Sequence, residues 1–145
     1  MRKRLLFPPA LGLAISIALL AGCIGVSFKS NGERIYFTST SNSGDPITYT
    51  GGVMMMRLAC VNCHGPEGHG GTVRMMMYSF DVPNITWPVL TSPAEDRTAY
   101  TENSLKKAIT TGIDPTGSQF EAPMPVWQMS DSDLSDLVAF IKTLK

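Results

Sequence analysis

Cys60-Val61-Asn62-Cys63-His64 is the stretch on which the reading of this chain turns. Two thiols three positions apart, followed at once by an imidazole, match the C-x-x-C-H pattern of covalent haem attachment. Thiols at this spacing can add to the two vinyl groups on one haem edge, and the adjacent imidazole then lies beneath the iron. Cys60 and Cys63 are therefore the candidate attachment residues and His64 the candidate proximal ligand. Two rival readings lack their remaining parts. A structural zinc site needs four ligands, and beyond these three only His69 and Cys23 are on offer. A thioredoxin-type dithiol needs a βαβ setting, which the surrounding pattern does not provide.

Working outward, the next question is what faces the imidazole across the iron. His69 is the only other histidine, and a residue five positions on in a glycine-rich turn does not easily reach the opposite face. Methionine is the expected partner. Eight methionines follow the N-terminal one, and Met124 has the best setting, in Ala122-Pro123-Met124-Pro125, where flanking prolines stiffen a loop. It lies 60 residues beyond His64, enough chain to wrap around a haem edge.

The N-terminus reads as an address. Arg2, Lys3 and Arg4 give a positive start, Leu5 to Leu20 is almost wholly apolar, and Leu20-Ala21-Gly22-Cys23 closes the segment with small residues before a cysteine. These four residues resemble the lipobox of bacterial lipoproteins. The resemblance implies a signal peptide over 1–22, cleavage, and acylation of Cys23 as a lasting membrane anchor. The alternative is an uncleaved span from Leu5 to Val26, against which Pro8 and Pro9 count. Both readings put the folded part outside the cytoplasm and hold it at a membrane. Residues 23–31 form a tether and 32–145 one domain.

Three of the 12 basic residues lie in that address, so the remainder carries nine against 12 acidic side chains, net −3. No cluster of Lys and Arg marks a nucleic-acid footprint. With 43% hydrophobic residues the core is modest, and a buried haem would help to fill it. A first helix is expected over Glu33 to Phe37, loop over Ser39 to Gly52, and a second helix over Val53 to Val61 leading into the haem motif. Four glycines and Pro66 after His64 demand a sharp turn. Pro83, Pro88 and Pro93 then break the chain into loop and short helical turns. Thr101 to Thr111 looks helical with Gly112 as its stop, and Ser130 caps a final helix in which Leu134, Leu137, Val138, Ile141 and Leu144 recur at helical spacing.

Gly32 with Tyr36, Cys60 to Gly65, Leu105 to Gly112, Met124-Pro125 with Trp127, and Ser130 to Leu144 resemble, in order, the landmarks of class I mono-haem c-type cytochromes. The resemblance implies a small all-α fold around one haem c, its first and last helices crossing so that Tyr36 and Phe140 meet. An insertion separates the Gly32–Tyr36 landmark from Cys60. The leading reading of function is an electron carrier rather than an enzyme, its iron cycling between two oxidation states in a respiratory chain with His64 and Met124 as unchanging ligands. Its partners would be redox proteins or a membrane respiratory complex. Two other functions stay open: a haem sensor whose sixth position opens, and a haem subunit of a larger membrane redox complex.

Some residues have a second reading. Met54, Met55 and Met56, with Met75, Met76 and Met77, are either adaptable filler or docking surface around a cofactor, or soft ligands for Cu(I). His69 reads as a loop histidine. Trp87 and Trp127 read as pocket packing or donors to a haem propionate. Asn84-Ile85-Thr86 matches a glycosylation sequon by chance.

Overall fold

The computed structural model describes residues 26–52, 58–75, 78–94 and 98–145. In chain order the elements are α1 (Asn31–Thr38), β1 (Thr48–Thr50), α2 (Cys60–His64), β2 (Gly71–Met75), β3 (Tyr78–Val82), α3 (Trp87–Thr91), α4 (Glu102–Thr111), β4 (Val126–Gln128) and α5 (Asp131–Ile141). The lipobox with Cys23, and Met54, Met55, Met56, Met76 and Met77, lie outside the described residues. Among the described residues no helix is long and apolar enough to cross a membrane.

The frame of the fold is the pair α1 and α5. Each starts on a serine cap: Ser30 Oγ accepts from the Glu33 N–H at 3.0 Å, and Ser130 Oγ from the Asp133 N–H at 3.1 Å. The apolar stripe Leu134, Leu137, Val138 and Ile141 is buried, and Ile35 and Tyr36 from α1 belong to the same core. Gly32 is what lets the helices touch. A Cβ there would stand 1.9 Å from the Asp136 carbonyl oxygen, so only a residue without one permits this backbone contact. Asn31, at the first position of α1, adds two bonds to the same surface, its Nδ2 donating to Asp133 Oδ1 at 2.9 Å and Asp136 Oδ2 at 2.8 Å. The Tyr36 and Phe140 rings meet at 5.2 Å between centroids. The helix crossing is therefore present although α1 ends at Thr38 and β1 follows it, so that no single helix runs from Tyr36 to Cys60.

The all-α expectation is overturned. Two small antiparallel sheets accompany the helices, one pairing β1 with β4 and the other β2 with β3. The second is a hairpin with a period-two pattern: Val73, Met75, Phe80 and Val82 are half-buried, while Thr72, Arg74, Ser79 and Asp81 are exposed. Pro83 sits just past its end, where the missing N–H does no harm to the ladder. The first sheet is only three residues long, with Tyr49 opposite Trp127 and their rings 5.1 Å apart, too short to stand out as a strand pattern. It crosses the expected Ser39–Gly52 loop.

The helix expected over Val53–Val61 is also corrected. Residues 53–57 are outside the described residues, Leu58 and Ala59 are not helical, and α2 starts only at Cys60. Asn62 explains the start, because its Oδ1 accepts from the Ala59 N–H at 2.7 Å and so serves a backbone donor at the beginning of the helix. α4 follows its expectation, with Thr101 as N-cap and Gly112 in the left-handed conformation at its end.

Replacing Gly32 by Ala should destabilise the protein by about 1–3 kcal/mol through overpacking against α5. Thermal denaturation checks this; an unchanged midpoint would mean that the helix contact is not as close as described.

Candidate haem site

Helices α2, α3, α4 and α5 and strands β3 and β4 line a largely apolar cavity of about 700 Å³. Leu58, Leu105, Ile109, Leu137 and Ile141 supply much of its apolar wall, and Cys60, Cys63, His64 and Met124 all line it. Four residues singled out from sequence, spread over 65 positions, thus face a common space. An apolar chamber bounded by two thiols, an imidazole and a thioether suits a large flat cofactor with a metal at its centre.

His64 is the best-defined of the four. It is 6% exposed, and its Nδ1 lies 3.1 Å from the Pro83 carbonyl oxygen. A carbonyl only accepts, so Nδ1 carries the proton and Nε2 keeps its lone pair for a metal. Burial holds the imidazole pKa below its usual value, against the opposing pull of the bond to Pro83, and so favours the neutral ring that can ligate.

The turn after His64 makes that bond possible. Gly70 donates its N–H to the His64 carbonyl at 2.9 Å, and a Cβ on it would lie 2.2 Å from the Val82 carbonyl oxygen and 2.5 Å from that of Pro83. Its φ of 67° is likewise a glycine conformation. Gly70 is thus the point where the chain leaving the motif packs against the end of β3, bringing Pro83 to the imidazole. Tyr36 secures the other side of the turn, its hydroxyl donating to the Gly65 carbonyl at 2.6 Å.

Cys60 and Cys63 open and close the first turn of α2, and neither forms a disulfide. Burial pushes the Cys60 thiol up to about 12, and raises that of Cys63 as well, so neither is an activated thiolate of the kind a dithiol redox enzyme needs. Met124 is half-buried and packs against the hydrophobic core. Its loop follows a cis Ala122–Pro123 bond, is tied by the Met124 N–H to the Glu121 carbonyl at 3.2 Å, and runs directly into β4.

The remaining polar candidates stand differently. His69 is exposed, its Nε2 3.4 Å from Glu67 and its Nδ1 3.4 Å from the Asn84 amide. Trp87 is at the start of α3 with the Lys142 ammonium 5.4 Å above its ring, and does not line the cavity. Trp127 does line it. That residue is 4% exposed and its Nε1 is buried with no hydrogen-bond partner. Sequence reasoning missed β3, whose Phe80 and Val82 form one wall; the alternation around them was the available signal.

The apolar cavity and the four side chains on it suit a small haem-binding domain. A family model for cytochrome c matches residues 49–145, about two thirds of the chain, and the chain belongs to that family. It accordingly carries covalently bound haem c and serves haem-based electron transfer. No curated protein and no solved structure matches the chain.

Replacing Tyr36 by Phe removes the bond to Gly65 while leaving the ring in place. The expected loss is about 1 kcal/mol of stability in denaturant unfolding, the net worth of a typical hydrogen bond. An unaltered midpoint would show that the hydroxyl does not help to hold the turn.

Proposed function

We propose that this protein is a membrane-tethered, extracytoplasmic one-electron carrier holding a single haem c through Cys60 and Cys63, with His64 and Met124 as its axial ligands. The observation that carries this reading is the meeting of these four side chains on one apolar cavity. Haem c, when bound, supplies a one-electron iron couple. The chain's own residues do the rest. Pro83 and Gly70 fix the imidazole tautomer and its attitude, so the ligand need not reorganise when the oxidation state changes. Burial among α2, α3, α4 and α5 and strands β3 and β4 limits access of water and favours the less charged, reduced state. The thioether of Met124 raises the potential further, which suits a place between a donor complex and a terminal acceptor in a respiratory chain.

Tethering rests on the sequence Leu20-Ala21-Gly22-Cys23 and its resemblance to a lipobox. A carrier held by acyl chains at a membrane surface searches for its partners in two dimensions, and the net −3 charge of residues 23–145 gives that search no strong pull toward anionic lipid.

Met124→Ala should retain covalent haem but lower the reduction potential by at least about 59 mV, a tenfold change in a one-electron equilibrium. Spectroelectrochemical titration reads this directly, and an unshifted potential would exclude Met124 as a ligand. The unsubstituted protein should incorporate labelled palmitate and lose residues 1–22, and Cys23→Ser should do neither. An unlabelled, full-length unsubstituted protein would instead favour the uncleaved span.

A further inference from the structure

The insertion between α1 and α2, described over residues 39–52 and 58–59, is closed at its base by Ser39. That residue is 2% exposed and left-handed, with a φ of 51°, a conformation that a residue with a side chain adopts where its surroundings impose it. Its hydroxyl donates to the Leu58 carbonyl at 2.5 Å, and its carbonyl accepts from the Ile47 N–H at 2.8 Å. The stretch therefore leaves the core and returns to it at one point.

Beyond this base the insertion reaches the methionine loop twice. β1 pairs with β4, which begins at Val126 just after that loop, and the pairing sets the Tyr49 ring against Trp127. Gly52 then meets the loop itself. A Cβ on Gly52 would stand 3.3 Å from the Pro123 carbonyl oxygen and 3.3 Å from Pro125 Cβ, so its backbone is seated against the residues on either side of Met124. The same Cβ would stand 3.0 Å from Leu58 Cδ1, on the cavity wall.

Resting on the reading of Met124 as an axial ligand, we infer that the insertion is a brace that keeps the methionine loop closed and, with it, the sixth iron position. Residues 113–125 join α4 to β4 as a long connection, and such a connection opens readily unless something packs on it. An added ligand for the iron must wait for that opening, so its apparent affinity is its intrinsic affinity scaled by the open fraction. Packing from Gly52 and β1 lowers that fraction. Gly52 and Tyr49 are thus positioning residues that act through Met124. The brace is what separates a carrier with unchanging ligands from a haem protein that takes up others.

Two neighbouring glycines give a matched comparison. Gly51 and Gly52 share nearly the same left-handed backbone, with φ of 77° and 76°, so alanine strains the chain alike at either position. Their surroundings differ. Nothing lies within 4 Å of a Cβ on Gly51, whereas one on Gly52 presses on the methionine loop.

The test uses the full chain matured with haem, as the unsubstituted protein, Gly51→Ala and Gly52→Ala. Each ferric form is titrated with imidazole, and loss of the methionine-to-ferric-iron band reports displacement of the thioether. Gly52→Ala is expected to bind imidazole about tenfold more tightly, as overpacking drives the loop open, while Gly51→Ala keeps the unsubstituted affinity. Equal affinities in all three proteins would overturn the inference and leave the ligand reading standing. Equal gains in both variants would do the same, because the effect would then follow backbone strain and not contact with the loop. An unsubstituted protein that lacks the band would defeat the ligand reading itself.

Should Gly52→Ala fail to mature, hydrogen exchange of the unsubstituted ferric protein with and without imidazole decides. Coupling is reciprocal, so displacing Met124 must loosen the brace. Faster exchange in β1 relative to α1 when imidazole binds supports the inference. Exchange in β1 that imidazole leaves unchanged relative to α1 overturns it.

Discussion

The bond between His64 Nδ1 and the Pro83 carbonyl, 3.1 Å long, is the constraint around which the site is arranged. It chooses the tautomer, leaves the lone pair on Nε2, where it suits a metal, and fixes the ring against the end of β3. Nothing in α2 could do this alone, because a five-residue helix has neither the length nor the packing to hold a side chain still. The bond is reached only because Gly70 brings two backbones closer than any side chain would permit. Tyr36 then ties the same turn to α1, which Gly32 seats directly on α5. Local chemistry at the ligand is in this way supported by the crossing of the first and last helices.

Two glycines carry close approaches for different reasons. Gly32 lies inside a helix, where it costs conformational entropy relative to Ala, and is kept because α1 and α5 could not otherwise touch. Gly70 both avoids a clash and adopts a positive φ. Around them the core is held by buried aliphatic residues such as Ile35, Leu137 and Val138, each worth about 1.5–3 kcal/mol on burial. A large apolar cofactor would extend this core into the cavity that Cys60, Cys63, His64 and Met124 line.

Much of this was legible because the signals were local and chemical. Cys60, Cys63 and His64 announce themselves by spacing, Met124 by its prolines, and α5 by Ser130 and its apolar stripe. The two sheets were not legible in the same way. β1 is too short for alternation to show and depends on β4, which is 76 positions away in the paired residues Thr50 and Val126. The hairpin of β2 and β3 does alternate, but the glycines before it and the prolines after it read as loop and masked the period. Gly32 stood out in sequence as a landmark, but its contact with Asp136, the role of Gly70 and the unpartnered Nε1 of Trp127 are legible only in three dimensions, since each owes its meaning to what lies across from it.

The most direct test of the account is the optical spectrum of the haem-loaded protein, oxidised and reduced, with and without carbon monoxide. Ligation by His64 and Met124 predicts a methionine-to-ferric-iron band and a reduced spectrum that carbon monoxide leaves unchanged. A five-coordinate spectrum that shifts with carbon monoxide would contradict the electron-carrier account and make ligand binding at an open iron position the function to explain.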